Sequence, residues 1–204
     1  MTQLDVTLTD YAVSAECALF SFVLFYSQGA GHPNSDSIAF FLSLAIAAAT
    51  GGTVHGFFAD EKNWGYKVLW RFTLVVIGVS AFFGLRIGAA MLMPTSAADS
   101  VNTIGGLFLF IYIFIALLFW QDYRLAIIGY FPSILWLGIA FVVEFHKQGS
   151  LAALAGCLGI GTMVIASAVQ QLQVAVSRRY FDHNALYHVL QAAGLWMVFA
   201  AIRP

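Results

Sequence analysis

The 204-residue chain is 61% hydrophobic and only 9% charged, with a formal net charge of −1. Soluble domains carry about 25% charged residues, so water is not the solvent for most of this surface. The near-neutral balance offers no basic patch for a nucleic-acid partner, and the two cysteines, Cys17 and Cys157, lie inside apolar runs, which argues for small core residues and against a disulfide framework or a CxxC site.

Met1 to Asp10 is polar and contains no Lys or Arg. The apolar run after it has neither a basic n-region nor a small-residue cleavage site, so a retained helix is expected and not a cleaved signal peptide. A membrane-spanning helix needs about 20 largely apolar residues. The chain offers seven such segments, at 11–28, 38–59, 66–90, 102–121, 124–145, 149–175 and 183–202. Clusters of turn residues separate several of them, at Gly29 to Ser37, Pro94 to Ser100 and Gln148 to Ser150. The fourth and fifth meet at Gln121-Asp122-Tyr123-Arg124 with almost no loop, and Pro132 is expected to kink the fifth. No linker or composition break marks a second domain. The expectation is one all-α membrane domain over 1–204, a seven-transmembrane helix bundle, with the Gly- and Ala-rich stretches 45–52 and 151–161 serving close helix packing.

Lys and Arg near the segment ends set the expected orientation. Lys62, Lys67, Arg71, Arg124, Arg178 and Arg179 share the face of the N-terminus, against Arg86, Lys147 and Arg203 on the other. Six against three predicts a cytoplasmic N-terminus.

Polar residues inside the apolar segments are the candidates for function. Glu16 lies about five residues into the first segment, or ~8 Å deep at 1.5 Å per residue. His55 lies near the end of the second segment, and His183 and His188 open the seventh. All four are expected at one depth beneath one face. His32 and His146 fall on the opposite face and read as solvated, with Glu144 forming an interfacial pair with His146. Arg86 reads as a snorkelling or packing residue, and Gln170, Gln171 and Gln173 lie where they can line the mouth of the site.

Three imidazoles with an open position make a standard catalytic zinc arrangement, in which bound water titrates near neutrality. Asp60, five residues after His55, could take the proton from that water or orient a His ligand, although it also fits a solvated turn in Asp60-Glu61-Lys62. Glu16 could support an imidazole or a polar group of the substrate. The spacing of His183 and His188 is awkward, because residues five apart point ~140° away from each other on a regular helix. Either His183 is presented from the first turn, with Asp182 as N-cap, or Asn184, four before His188, is its polar neighbour on the same face.

The run Asp182-His183-Asn184-Ala185-Leu186-Tyr187-His188, with a Glu in the first segment and a His near the end of the second, resembles the CREST superfamily, which includes alkaline ceramidases and progestin/adipoQ receptors. The resemblance implies an intramembrane hydrolase of a lipid amide or ester, with zinc held by His55, His183 and His188, an acidic first-helix residue at Glu16, and membrane lipid as substrate. The chain departs from the family pattern in three places. The seventh-segment spacing is five and not four, Gly51 stands where a serine precedes the second-segment His, and Asp60 is the nearest counterpart of the third-helix aspartate. Two other readings use the same residues: a haem protein with His55 and His188 as axial ligands, and a lipid receptor or transporter without chemistry. The seventh segment contains no lysine, which argues against retinal bound as a Schiff base.

Overall fold

The computed structural model describes residues 3–27, 35–177 and 180–203. His32, Arg178 and Arg179 lie outside the described residues. The architecture is an all-α seven-helix bundle: α1 (Leu4–Tyr26), α2 (Ser35–Phe57), α3 (Trp64–Leu92), α4 (Thr95–Leu118), α5 (Tyr123–Gln148), α6 (Leu151–Gln171) and α7 (His183–Ile202). All seven are long and apolar enough to cross a membrane, which fits a multi-pass membrane protein.

Local chemistry explains most helix starts. Side-chain oxygens of Asn63, Asp122, Ser150 and Asp182 accept from the free backbone N–H groups that open α3, α5, α6 and α7. Asp122 also pairs with the Arg124 guanidinium at 2.8 Å, and that hydrogen bond holds its carboxyl below the usual carboxylate range. Gly149, in the left-handed conformation at φ 62°, ends α5, which runs through Pro132 without interruption.

Two starts differ from expectation. α1 begins at Leu4, about two turns before the apolar run, and takes in the polar stretch through Asp10. α4 begins at Thr95 directly after Pro94, which supplies the extended N-cap, so the polar stretch Thr95 to Ser100 is helix and not loop.

α1 packs on α2 and α7, α2 on α3, α3 on α5, α5 on α6, and α6 on α7, closing a ring of six helices. α4 stands outside it against α3, with only Ala98, Gly105 and Ala116 buried. In a bilayer, helices associate through close packing and not through exclusion of water. Small residues permit this between α6 and α7: a Cβ at Gly159 would stand 2.7 Å from the Gly194 carbonyl oxygen. An aromatic cluster fills the ring deeper in, where Phe20 stacks on Phe199 at 4.2 Å and meets Phe41 edge-on at 5.3 Å. Both cysteines are free.

Candidate functional site

The starts of α1, α3, α5 and α7 and the ends of α2 and α6 meet at one end of the ring. Hydrogen bonds between polar groups fasten them together. Gln3 donates its backbone N–H to the His55 carbonyl at 3.4 Å, and the Asp182 backbone N–H donates to the Asp5 carboxylate at 3.0 Å. Trp70 Nε1 donates to the Gln121 carbonyl at 2.7 Å, and Gln170 Nε2 to Asn184 Oδ1 at 3.2 Å. The first turn of α1 is therefore docked against α2 and α7 together.

Inside this end lies a cavity of about 300 Å³, lined by all six ring helices and by nothing from α4. Its polar wall carries Asp10, His55, Tyr123, Gln170, Asn184 and His188, while Val13, Leu44, Ile77, Phe131, Ile134 and Met163 supply apolar lining. The outline suits a polar head with an apolar chain.

The centre of the polar wall is His188. Its Nε2 lies 3.2 Å from Asp10 Oδ1, and its Nδ1 lies 3.1 Å from Thr9 Oγ1. Two consecutive residues of α1 thus grip the two nitrogens of one ring on α7. Among the described residues, the second oxygen of Asp10 is buried with no hydrogen-bond partner. Room for this carboxyl comes from α2: a Cβ at Gly52 would stand 2.9 Å from Asp10 Cβ, and one at Gly51 would stand 3.6 Å from Asp10 Oδ2. Gly51 therefore faces the carboxyl directly.

His55 lines the same cavity, edge-on to Trp70 with ring centroids 6.3 Å apart. Among the described residues its imidazole makes no hydrogen bond to another side chain. Tyr123 and Tyr187 bring their hydroxyls to 3.4 Å from each other. Two hydroxyls with one bond between them leave one O–H to spend elsewhere.

The other expected residues are distributed differently. His183 is the first residue of α7, beside its Asp182 cap, and does not line the cavity. Asn184 does line it, one turn before His188. Glu16 lies about 18 Å along α1 and not ~8 Å, because that helix starts earlier. It is half-buried and away from the cavity, with Oε2 covered and unpartnered among the described residues. Asp60 is exposed in a turn, where its carboxylate accepts from the Lys62 backbone N–H at 2.9 Å. Of the three glutamines near this face, Gln170 reaches the cavity. At the far end Arg86 pairs with Asp36 at 2.9 Å, and Glu144 accepts from Gln148.

The three-histidine zinc set is not assembled. Among the described residues, no three His, Cys, Asp or Glu side chains stand grouped to hold a metal ion. A metal ligand needs a free nitrogen lone pair, and both nitrogens of His188 already have partners. The donor set as arranged does not fit the ion.

Asp10 and Thr9 escape a reading by polarity, since they sit in a stretch that resembles a solvated tail. The available signal is their register. Val6, Asp10, Val13, Cys17, Phe20 and Leu24 are all buried at alternating spacings of four and three, so Asp10 occupies a core position of an amphipathic stripe.

Fold and site together define an all-α seven-helix bundle, of a form that suits a membrane, with a buried carboxyl–imidazole pair at the head of a largely apolar cavity. Residues 6–204 match the model of the family of unknown function DUF6962, and the chain belongs to that family. No curated protein and no solved structure matches it.

Proposed function

We propose that this chain is a membrane-embedded hydrolase of a lipid amide or ester, acting by acid–base chemistry at the polar end of its cavity. The observation that carries the reading is the His188 ring held between Asp10 and Thr9, at the head of a cavity whose deeper wall is apolar. An acyl chain would lie along Leu44, Ile134 and Met163, bringing its carbonyl to the polar wall.

The residues divide the work by what their hydrogen bonds leave free. His55 has a ring nitrogen to spare and takes a proton from water, whose oxygen attacks the carbonyl carbon. The unspent hydroxyl of the Tyr123–Tyr187 pair donates to the oxyanion that forms. As the C–N or C–O bond breaks, the leaving group takes the proton held between Asp10 and His188. The protonated His55 then returns a proton to that pair through a second water entering from solvent. One water is consumed, and a fatty acid and an amine or alcohol are released. The Lys and Arg distribution supports a cytoplasmic location for this end and the N-terminus.

The test is hydrolysis of a panel of fluorogenic long-chain amides and esters by the full chain in lipid nanodiscs. Turnover that falls about 10²–10⁴-fold in both Asp10→Asn and His55→Ala supports the reading. Binding of the same lipids without turnover overturns it in favour of a lipid receptor. Elemental analysis of the same sample decides the metal: about one zinc per chain, lost in His188→Ala, would mean that His188 exchanges its present partners for an ion.

A further inference from the structure

Thr9 does not itself line the cavity, yet it touches the one ring on which the site turns. Its hydroxyl lies 3.0 Å from the Asp5 carbonyl and 3.0 Å from the Val6 carbonyl, one turn back on its own helix. A threonine hydroxyl has one proton. Carbonyl oxygens only accept, and two of them at 3.0 Å outnumber the single ring nitrogen at 3.1 Å, which favours keeping that proton on the backbone side. With the proton so placed, the Thr9 oxygen accepts from His188 Nδ1 at 3.1 Å.

The geometry points to Thr9 as a positioning residue that fixes the tautomer of His188, keeping the proton on Nδ1. The consequence passes across the ring. In the neutral Nδ1–H form, Nε2 carries a lone pair and faces Asp10 Oδ1 at 3.2 Å. Two lone pairs cannot form that contact, so a second proton lies between Nε2 and the carboxyl, carried by one or the other. The Thr9 oxygen therefore obliges the Asp10–His188 pair to hold a transferable proton. Without it, the ring is free to place its single proton on Nε2 and donate to an ionised Asp10, and the pair has no proton to release.

Helix α1 is built to keep this arrangement. Asp5, one turn before Thr9, accepts from the Asp182 backbone N–H at the cap of α7, so the two helices are pinned beside the contact. Gly52 of α2 lets α1 approach on the other side. The inference deepens the acid–base reading and rests on it for its bearing on turnover, but the state of the ring can be read without any substrate.

The experiment is ¹⁵N NMR of histidine-labelled full chain in lipid bilayers, with the His188 signals assigned by their loss in His188→Gln. The wild-type ring is expected to show a protonated Nδ1. Thr9→Val, which keeps the shape and removes the acceptor, is expected to move the major form to Nε2–H, and Thr9→Ser to restore it. A wild-type ring with unprotonated Nδ1 overturns the inference even where a variant does not fold, and so does an unchanged tautomer in folded Thr9→Val. Absence of lipid hydrolysis by the wild type would count against the hydrolase reading alone, because the ring signals decide the role of Thr9 independently.

Discussion

The two ends of the bundle each hold an acid–base pair between helices, and the pairs differ in setting more than in geometry. Asp36 and Arg86 meet at 2.9 Å with side chains 25% and 32% exposed. Asp10 and His188 meet at 3.2 Å with side chains 8% and 11% exposed. The shorter contact is the less consequential one. Partial exposure screens the Asp36–Arg86 pair, and Arg86 divides its attention with the Phe82 ring, 5.6 Å away. At the other end the low-dielectric surroundings make every unmet hydrogen bond costly, so the position of a single proton matters.

Breaking each end should show this difference. The largest effect is expected from His188→Ala, which strands the Asp10 carboxyl inside the bundle. Stability should fall by about 3–5 kcal/mol, the usual cost of removing one partner from a buried pair. Thermal unfolding in micelles measures it. His183→Ala, five residues away and off the cavity, should leave the melting temperature nearly unchanged. Equal losses in the two variants would erase the distinction drawn between them.

Next comes the wall that admits Asp10. Gly52→Val would drive a Cβ to 2.9 Å from Asp10 Cβ and 3.3 Å from the Thr7 backbone oxygen. A loss of about 1–3 kcal/mol is expected from the forced shift. Gly51→Ser should act in the opposite direction, since its Cβ would stand at an ordinary 3.6 Å from Asp10 Oδ2 and its hydroxyl could donate to that unpartnered oxygen. A gain of about 1 kcal/mol in the same unfolding assay is the expected outcome. The smallest effect should come from Arg86→Ala at the far end, at most about 1 kcal/mol and shrinking with added salt. A loss as large as that of His188→Ala would put the two ends on equal terms.

How much of this is legible in the sequence depends on where polarity and apolarity agree. The seven spans are legible because each is a long apolar run, and α7 is placed to the residue because Asp182 caps it and the apolar pattern follows at once. The starts of α1 and α4 are not, because helix is signalled there by spacing while hydropathy signals loop. That one displacement at α1 carries Glu16 away from the site and hides Asp10 and Thr9, which occupy it. His55 and His188 are legible as cavity residues since both lie within apolar runs near helix ends. The division of labour between Asn184 and His183 turns on helical phase, which the five-residue spacing shows in outline and the position of the cap settles.

The grip of Thr9 on His188 spans 179 residues of chain. At a synthesis rate of about 5–20 residues per second, the first helix would wait on the order of 10–40 s for the last to emerge. During that interval its carboxyl lacks the His188 imidazole. The first helix therefore completes its polar contacts only when the final helix arrives.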